Sequence, residues 1–324
     1  LPGGPRLAIG GAGTLRIGCQ ESGISGAGAL FFLSWTTARP DPMQTITDRA
    51  NLWQALAQFR RAGDRIAIVP TMGSLHAGHL SLVRVAKAHA DKVVATVFVN
   101  PTQFGEDEDF DEYPRTLESD ANKLQSEGVD VLFAPAVESI YPFGIENATR
   151  VHVPVLADEF CGAGRPGHFD GVTSVVARLF ALVRPDVAVF GQKDYQQQLL
   201  VRRMVEDLGL PIDFLLAPIV RESSGLAMSS RNAYLAKADR DRAAAIYATL
   251  QEVRQALLDG ERDFAALESQ ARTSLLDAVD SVEYLAVRQA SDLAPPEPDC
   301  KALVILVAVE VAGIRLIDNV LVAI

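Results

Sequence analysis

Ile66-Ala67-Ile68-Val69 runs directly into Pro70-Thr71-Met72-Gly73-Ser74-Leu75-His76-Ala77-Gly78-His79, and from Leu80 to Ala90 apolar residues then recur with a helical period. Four apolar residues with Pro and Gly punctuation beyond them read as a strand covered on both faces. A glycine-bearing loop between such a strand and a helix turns backbone N–H groups and the positive end of the helix dipole toward one spot, which suits a phosphate. His76 and His79, three apart at the helix entry, lie on one side of it, where each can donate a hydrogen bond to a phosphate oxygen as charge develops. A metal half-site and two solvated surface residues remain alternative readings of the pair.

The same alternation continues on the C-terminal side. Val93–Val99, Val129–Phe133, Val187–Phe190 and Ile212–Leu216 read as further buried strands, and Thr116–Glu127, Val172–Val183 and Tyr195–Leu208 as helices between them. Strand and helix in this order predict right-handed crossovers and an α/β, doubly wound, Rossmann-like parallel sheet over residues 43–219, with ligands outside the carboxyl ends of its strands. From residue 220 the order changes to two charged helices, Ala238–Leu258 and Phe264–Val279, and then strands Val282–Val287, Ala302–Val309 and Ile314–Ile317. This predicts a smaller α+β domain over 220–324, with Pro295-Pro296-Glu297-Pro298 as a turn between strands.

Residues 1–42 are rich in Gly and small residues and lack either period, so they read as a disordered extension. A targeting segment is the alternative, because a basic residue precedes the apolar run Gly26–Leu33. The chain has 324 residues, 48% hydrophobic and 22% charged, with a formal net charge of -11. That balance argues against a general affinity for nucleic acid or anionic membrane, so any phosphate site is local. Cys19, Cys161 and Cys300 show no paired spacing, which fits a reducing cytoplasm and neither a disulfide framework nor a zinc cage.

Four other segments can carry chemistry. Phe190-Gly191-Gln192-Lys193-Asp194 ends a strand and opens a helix, which points Lys193 at the same crevice, with Asp194 as a helix cap or a partner for Lys193 or a ribose. Met228-Ser229-Ser230-Arg231-Asn232 suits a mobile clamp on a triphosphate, with an ordinary serine turn the plainer reading. Gln103, after Asn100-Pro101-Thr102, and Gln197, one turn into the later helix, supply two uncharged amides that can hold a small hydroxy acid without neutralising its attacking carboxylate. The acidic run Glu106–Glu112 reads as a solvated face, and Asp120 as a candidate for water-mediated contact with a nucleotide-bound Mg²⁺. His168, in a glycine-rich loop, fits either a substrate cover or a plain turn.

Taken together, these motifs resemble one family, the pantoate-β-alanine ligases (pantothenate synthetases). The resemblance runs from about Met43 to the end, through PTMGSLHAGH, NPTQF, EYPRT (Glu112–Thr116), RPGHFDGV (Arg165–Val172), FGQKDYQQ, MSSRN and RLIDN (Arg315–Asn319), and leaves residues 1–42 outside. Gln192 stands where the family commonly has glutamate. The resemblance implies an ATP segment from Met72 through Gly73, Ser74, Leu75, His76, Ala77, Gly78 and His79, with His79 the catalytic acid. Gly191, Gln192, Lys193, Asp194, Val220, Met228, Ser229, Ser230 and Arg231 would complete the nucleotide site. Gln103 and Gln197 would hold pantoate, with Gln103 also near β-alanine. It further implies ATP and Mg²⁺, a cytoplasmic homodimer, and a second domain closing over the site. The reaction implied is pantoyl-adenylate formation followed by amide formation with β-alanine. A nucleotidyltransferase of the same fold and a silent nucleotide binder are the rival readings.

Overall fold

The computed structural model describes residues 42–105, 108, 110–297 and 300–324. The expectations for residues 1–41, for Glu106, Asp107 and Asp109 of the acidic run, and for Pro298 fall outside those residues. In chain order the first part comprises β1 (Gln44–Ile46), α1 (Arg49–Ala62), β2 (Ile66–Thr71), α2 (Ala77–His89), β3 (Lys92–Val97), α3 (Leu117–Ser126) and β4 (Val131–Phe133). The one-turn helices α4 (Val137–Ile140) and α5 (Cys161–Gly164) follow, then α6 (His168–Val183), β5 (Val187–Gly191), α7 (Tyr195–Asp207) and β6 (Asp213–Ala217). The strands form one parallel sheet in the order β1-β4-β3-β2-β5-β6.

Alternation along β2 explains why the sheet is covered twice. Ile66 and Ile68 pack with α1, α6 and α7, whereas Ala67 and Val69 face α2 and α3, and all four are fully buried. The strand order reverses between β2 and β5, so their carboxyl ends flank a crevice.

The second part consists of α8 (Lys237–Ala243), α9 (Ala245–Leu258), α10 (Phe264–Leu276) and an antiparallel sheet of β7 (Ser281–Gln289), β8 (Ala302–Val311) and β9 (Ile314–Ala323). One face packs on α9 and α10 through Leu250, Leu275, Val287 and Ile305. The other lays Val304 and Leu306 against Tyr195 and Leu199 of α7, so α7 packs on both sheets. The described residues make one compact unit, and position 220 marks a change of architecture within it.

Three differences from the sequence reading have physical causes. The expected helix Ala238–Leu258 turns at Ala244, between alanines and without Pro or Gly, so nothing local marks the break. β1 and α1 went unread because β1 is three residues long with one buried side chain, and the apolar seam of α1 is thin. β9 extends well past Ile317 because Asp318 and Asn319, whose polarity breaks the apolar run, are buried within the strand.

Candidate active site

The loop after β2 is held from three sides. Thr71 donates its hydroxyl to the Thr96 carbonyl (2.6 Å) and accepts from Gly73 N–H (3.2 Å). Gly73 has φ +91°, and a Cβ there would lie 3.0 Å from Val97 Cγ1 and 3.2 Å from Asp120 Oδ2, so a side chain would be strained by the backbone and would crowd both neighbours. The N–H groups of Ser74 and Leu75 donate to the two oxygens of Asp120 at 2.9 and 2.8 Å, and Thr116 donates its hydroxyl at 3.0 Å. Asp120 is fully buried. Both of its oxygens are engaged by the loop, and the carboxylate fixes the loop's shape.

His76 caps α2. Its Nδ1 accepts from Gly78 N–H (3.1 Å), and His79 Nδ1 accepts from His76 N–H (3.3 Å), a reciprocal capping box built from two imidazoles. A Cβ on Gly78 would sit 2.8 Å from the His76 ring, which is why glycine separates the pair. Burial, followed by the nearby Lys193 ammonium, lowers His76 to about 4; burial and then His76 lower His79 to about 3. Both rings are thus neutral at pH 7, and with Nδ1 accepting, each carries its proton on Nε2.

At the end of β5, Asn319 of β9 donates from Nδ2 to the carbonyls of Gln192 (3.0 Å) and Lys193 (2.9 Å), while Gln192 Nε2 donates to Asn319 Oδ1 (3.1 Å). Asp194 occupies the N-cap position of α7 without a side-chain capping bond and lies 3.6 Å from Lys193 Nζ. Ser229 caps a 3-10 turn over Ser230–Tyr234 by accepting from Arg231 N–H (3.3 Å). That segment is tied down by Asn232, which donates to Glu222 (2.8 Å) and to the Ala227 carbonyl (3.1 Å). Arg221 holds Asp318 of β9 through both carboxylate oxygens (2.5 and 2.9 Å).

These segments meet around a cleft of about 240 Å³ lined by Met72, His76, Gly78, His79, Gln103, Gly191, Lys193, Asp194, Gln197, Val220 and Met228–Arg231. A second cavity of about 750 Å³ shares Lys193, Asp194, Gln197, Ser229 and Arg231 and is walled by β9. Gly73, Ser74, Leu75, Ala77, Gln192 and Asp120 line neither and act from behind. Gln103 is buried, its Oε1 accepting from Asn100 (3.1 Å) and its Nε2 donating to Met72 Sδ (3.0 Å).

A family model described as Pantoate-beta-alanine ligase matches residues 44–321. The pantothenate synthetase of Thioalkalivibrio sulfidiphilus is 57% identical over 277 residues, covering 86% of this chain and 97% of the relative. The chain belongs to the pantoate-beta-alanine ligase family. Among solved members, the Thermus thermophilus pantothenate synthetase superposes with a TM-score of 0.80 at 46% identity, over 86% of this chain and 99% of that one. The Francisella tularensis pantoate-beta-alanine ligase, solved in complex with beta-gamma ATP and beta-alanine, gives 0.72 at 32% identity, over 86% and 97% of the two chains.

Two groups of this ligase were named in the sequence without their partners. Asp318 and Asn319 were visible only as part of the RLIDN motif, and their role depends on strand pairing that brings β9 to the end of β5. Arg165, Glu108 and His168 form the other group. Arg165 donates Nε to Glu108 Oε1 (2.6 Å) and a second guanidinium nitrogen to Oε2, and donates to His168 Nε2 (3.1 Å). His168, with Nε2 accepting, donates Nδ1–H to the Gln103 carbonyl (2.7 Å). Burial, then Arg165, lowers His168 to about 4, consistent with that neutral tautomer. Burial raises the Glu108 carboxyl but Arg165 outweighs it, leaving it below its ordinary range. Glu108 is therefore an ion-pair partner, which corrects the reading of its acidic run as a wholly solvated face.

Proposed function

We propose that the cleft condenses pantoate with β-alanine through a pantoyl-adenylate, consuming ATP and releasing AMP and pyrophosphate. One observation carries the reading: two neutral Nε2–H imidazoles, Lys193 and Arg231 border the same cleft as the uncharged amides Gln103 and Gln197. Donors and cations suit a triphosphate, while amides suit a hydroxy acid whose carboxylate must stay nucleophilic. That carboxylate attacks the α-phosphorus, and His76, His79, Lys193 and Arg231 spread the charge that develops until pyrophosphate leaves. The β-alanine amine then attacks the acyl carbon, the acyl–oxygen bond to AMP breaks, and no protein nucleophile is required.

Among the described residues no three of His, Cys, Asp and Glu gather as a metal site, and Asp120 is committed to backbone N–H groups. The described residues thus offer no cage for magnesium. An ion that enters on the triphosphate and keeps its waters needs none. Among the described residues no helix is long and apolar enough to cross a membrane. By family resemblance we assign a cytoplasmic homodimer, with residues 220–324 closing over the acyl-adenylate to exclude water.

The test is product analysis with MgATP, pantoate and β-alanine, each omitted in turn. Pyrophosphate and AMP should appear only with pantoate, and pantothenate only when β-alanine is also present. Absence of any pantoate-dependent pyrophosphate would replace the ligase with the nucleotidyltransferase or silent-binder reading.

A further inference from the structure

The reaction proposed above uses two carboxylates with opposite requirements. The carboxylate of pantoate must attack phosphorus, so a cation clamped on it would quench it. The carboxylate of β-alanine never reacts, carries a full charge into a confined site, and needs a cation to offset its loss of water. His76, His79, Lys193 and Arg231 are assigned to phosphate oxygens, which leaves the second carboxylate without a receptor.

Arg165 has the chemistry and the place for it. Its side chain is 17% exposed, and it borders the 240 Å³ cleft, the 750 Å³ cavity and a third cavity of about 410 Å³. His168 borders all three as well. One guanidinium nitrogen donates to His168 and another reaches the Gln103 carbonyl (3.3 Å), so the fork is oriented beside the residue placed at pantoate. The fork already grips a carboxylate, that of Glu108, through two parallel bonds. Such bidentate geometry is what a planar guanidinium offers a carboxylate and an ammonium does not.

Resting on the ligase reading, we propose that Arg165 is the receptor for the non-reacting carboxylate of the amine substrate, which takes the place of the Glu108 carboxylate on the guanidinium. His168 is then a positioning residue, holding the fork by its neutral Nε2 and the Gln103 backbone by Nδ1–H. Glu108 keeps the cation neutralised until substrate arrives and competes with it for the same two N–H groups. The site thereby selects amines that carry a carboxylate two methylenes away over amines of the same length that lack one.

The experiment separates the two half-reactions. Pantoate-dependent exchange of labelled pyrophosphate into ATP, run without β-alanine, gives the KM for pantoate; full turnover gives the KM for β-alanine. In Arg165→Ala the KM for β-alanine should rise roughly 100-fold, the size expected when one partner of a desolvated charge pair is removed, while the KM for pantoate moves by less than about threefold. Arg165→Lys should recover part of the loss, because it keeps the charge without the fork. Glu108→Gln should shift the KM for β-alanine in the opposite direction, downward, since it removes the competitor. With 3-aminopropanamide as acceptor, the native protein should strongly prefer β-alanine and Arg165→Ala should not. An unchanged KM for β-alanine in Arg165→Ala, an equal rise in both KM values, or a Glu108→Gln variant as impaired as Arg165→Ala would overturn the assignment. A native protein without pantoate-dependent exchange would instead remove the ligase reading beneath it.

Discussion

The ends of β2 and β5 do the same work at the crevice but are held in different ways. The loop after β2 is shaped by its own residues and near neighbours: Thr71, two glycines, the His76–His79 cap and the α3 carboxylate of Asp120. The turn after β5 has a bare cap at Asp194, and its Gln192 and Lys193 carbonyls accept from Asn319, 126 residues beyond Lys193. The first is held mostly by its own residues, with one carboxylate supplied by α3. The second is shaped by the antiparallel sheet, so the position of Lys193 reports on how the two parts of the chain pack.

The largest effect belongs to the β5 side. Lys193→Ala should lower pantoate-dependent adenylate formation by two or more orders of magnitude, about 3 kcal/mol of transition-state stabilisation, read by pyrophosphate exchange. Wild-type exchange would show that the two strand ends do not share one site. On the β2 side, Asp120→Ala leaves the Ser74 and Leu75 N–H groups without their acceptor and should cost about 2–3 kcal/mol in urea unfolding. A loss below about 0.5 kcal/mol would mean that the loop keeps its shape without α3.

A smaller change tests the remote support. Asn319→Ala removes two donors to the Gln192 and Lys193 carbonyls and should reduce kcat about tenfold, roughly 1.4 kcal/mol. Full activity would make the β5 turn as self-contained as the β2 loop. A further effect is on pH. His76 and His168 protonate only near pH 4, and His79 near 3, whereas the unfolded rings do so near 6.5. The unfolded chain therefore binds more protons between pH 6.5 and 4, and stability falls as pH drops through that window while these rings contribute no slope above it. Melting temperatures from pH 7 to 5 should show a steeper decline in the native protein than in His79→Gln; parallel curves would refute a neutral, desolvated cap.

How much was legible followed the same division. The phosphate-binding loop could be read because a strand, glycines and a helix start are local signals, and nearly every residue singled out there lies at the cleft or just behind it. Asp120 was visible as a carboxylate near a helix start, yet its partners are backbone N–H groups 45 and 46 residues earlier, which no pattern announces. Glu108 was lost in a run of acids that reads as solvent-facing until Arg165 is placed beside it. The end of β9 was lost because buried Asp318 and Asn319 mimic the polar residues that usually close a strand.

Sequence alone determined the alternation of buried strands and helices, the glycines that let backbone approach a phosphate, and the set of side chains able to handle one. These follow from short-range sterics and burial, which each segment carries within itself. Tertiary structure decided which carboxylates are free and which are committed, which protons the histidines carry, and how Lys193 is aimed. Those depend on partners distant in the chain and on loss of water at the site, and both exist only once the two sheets are packed about α7.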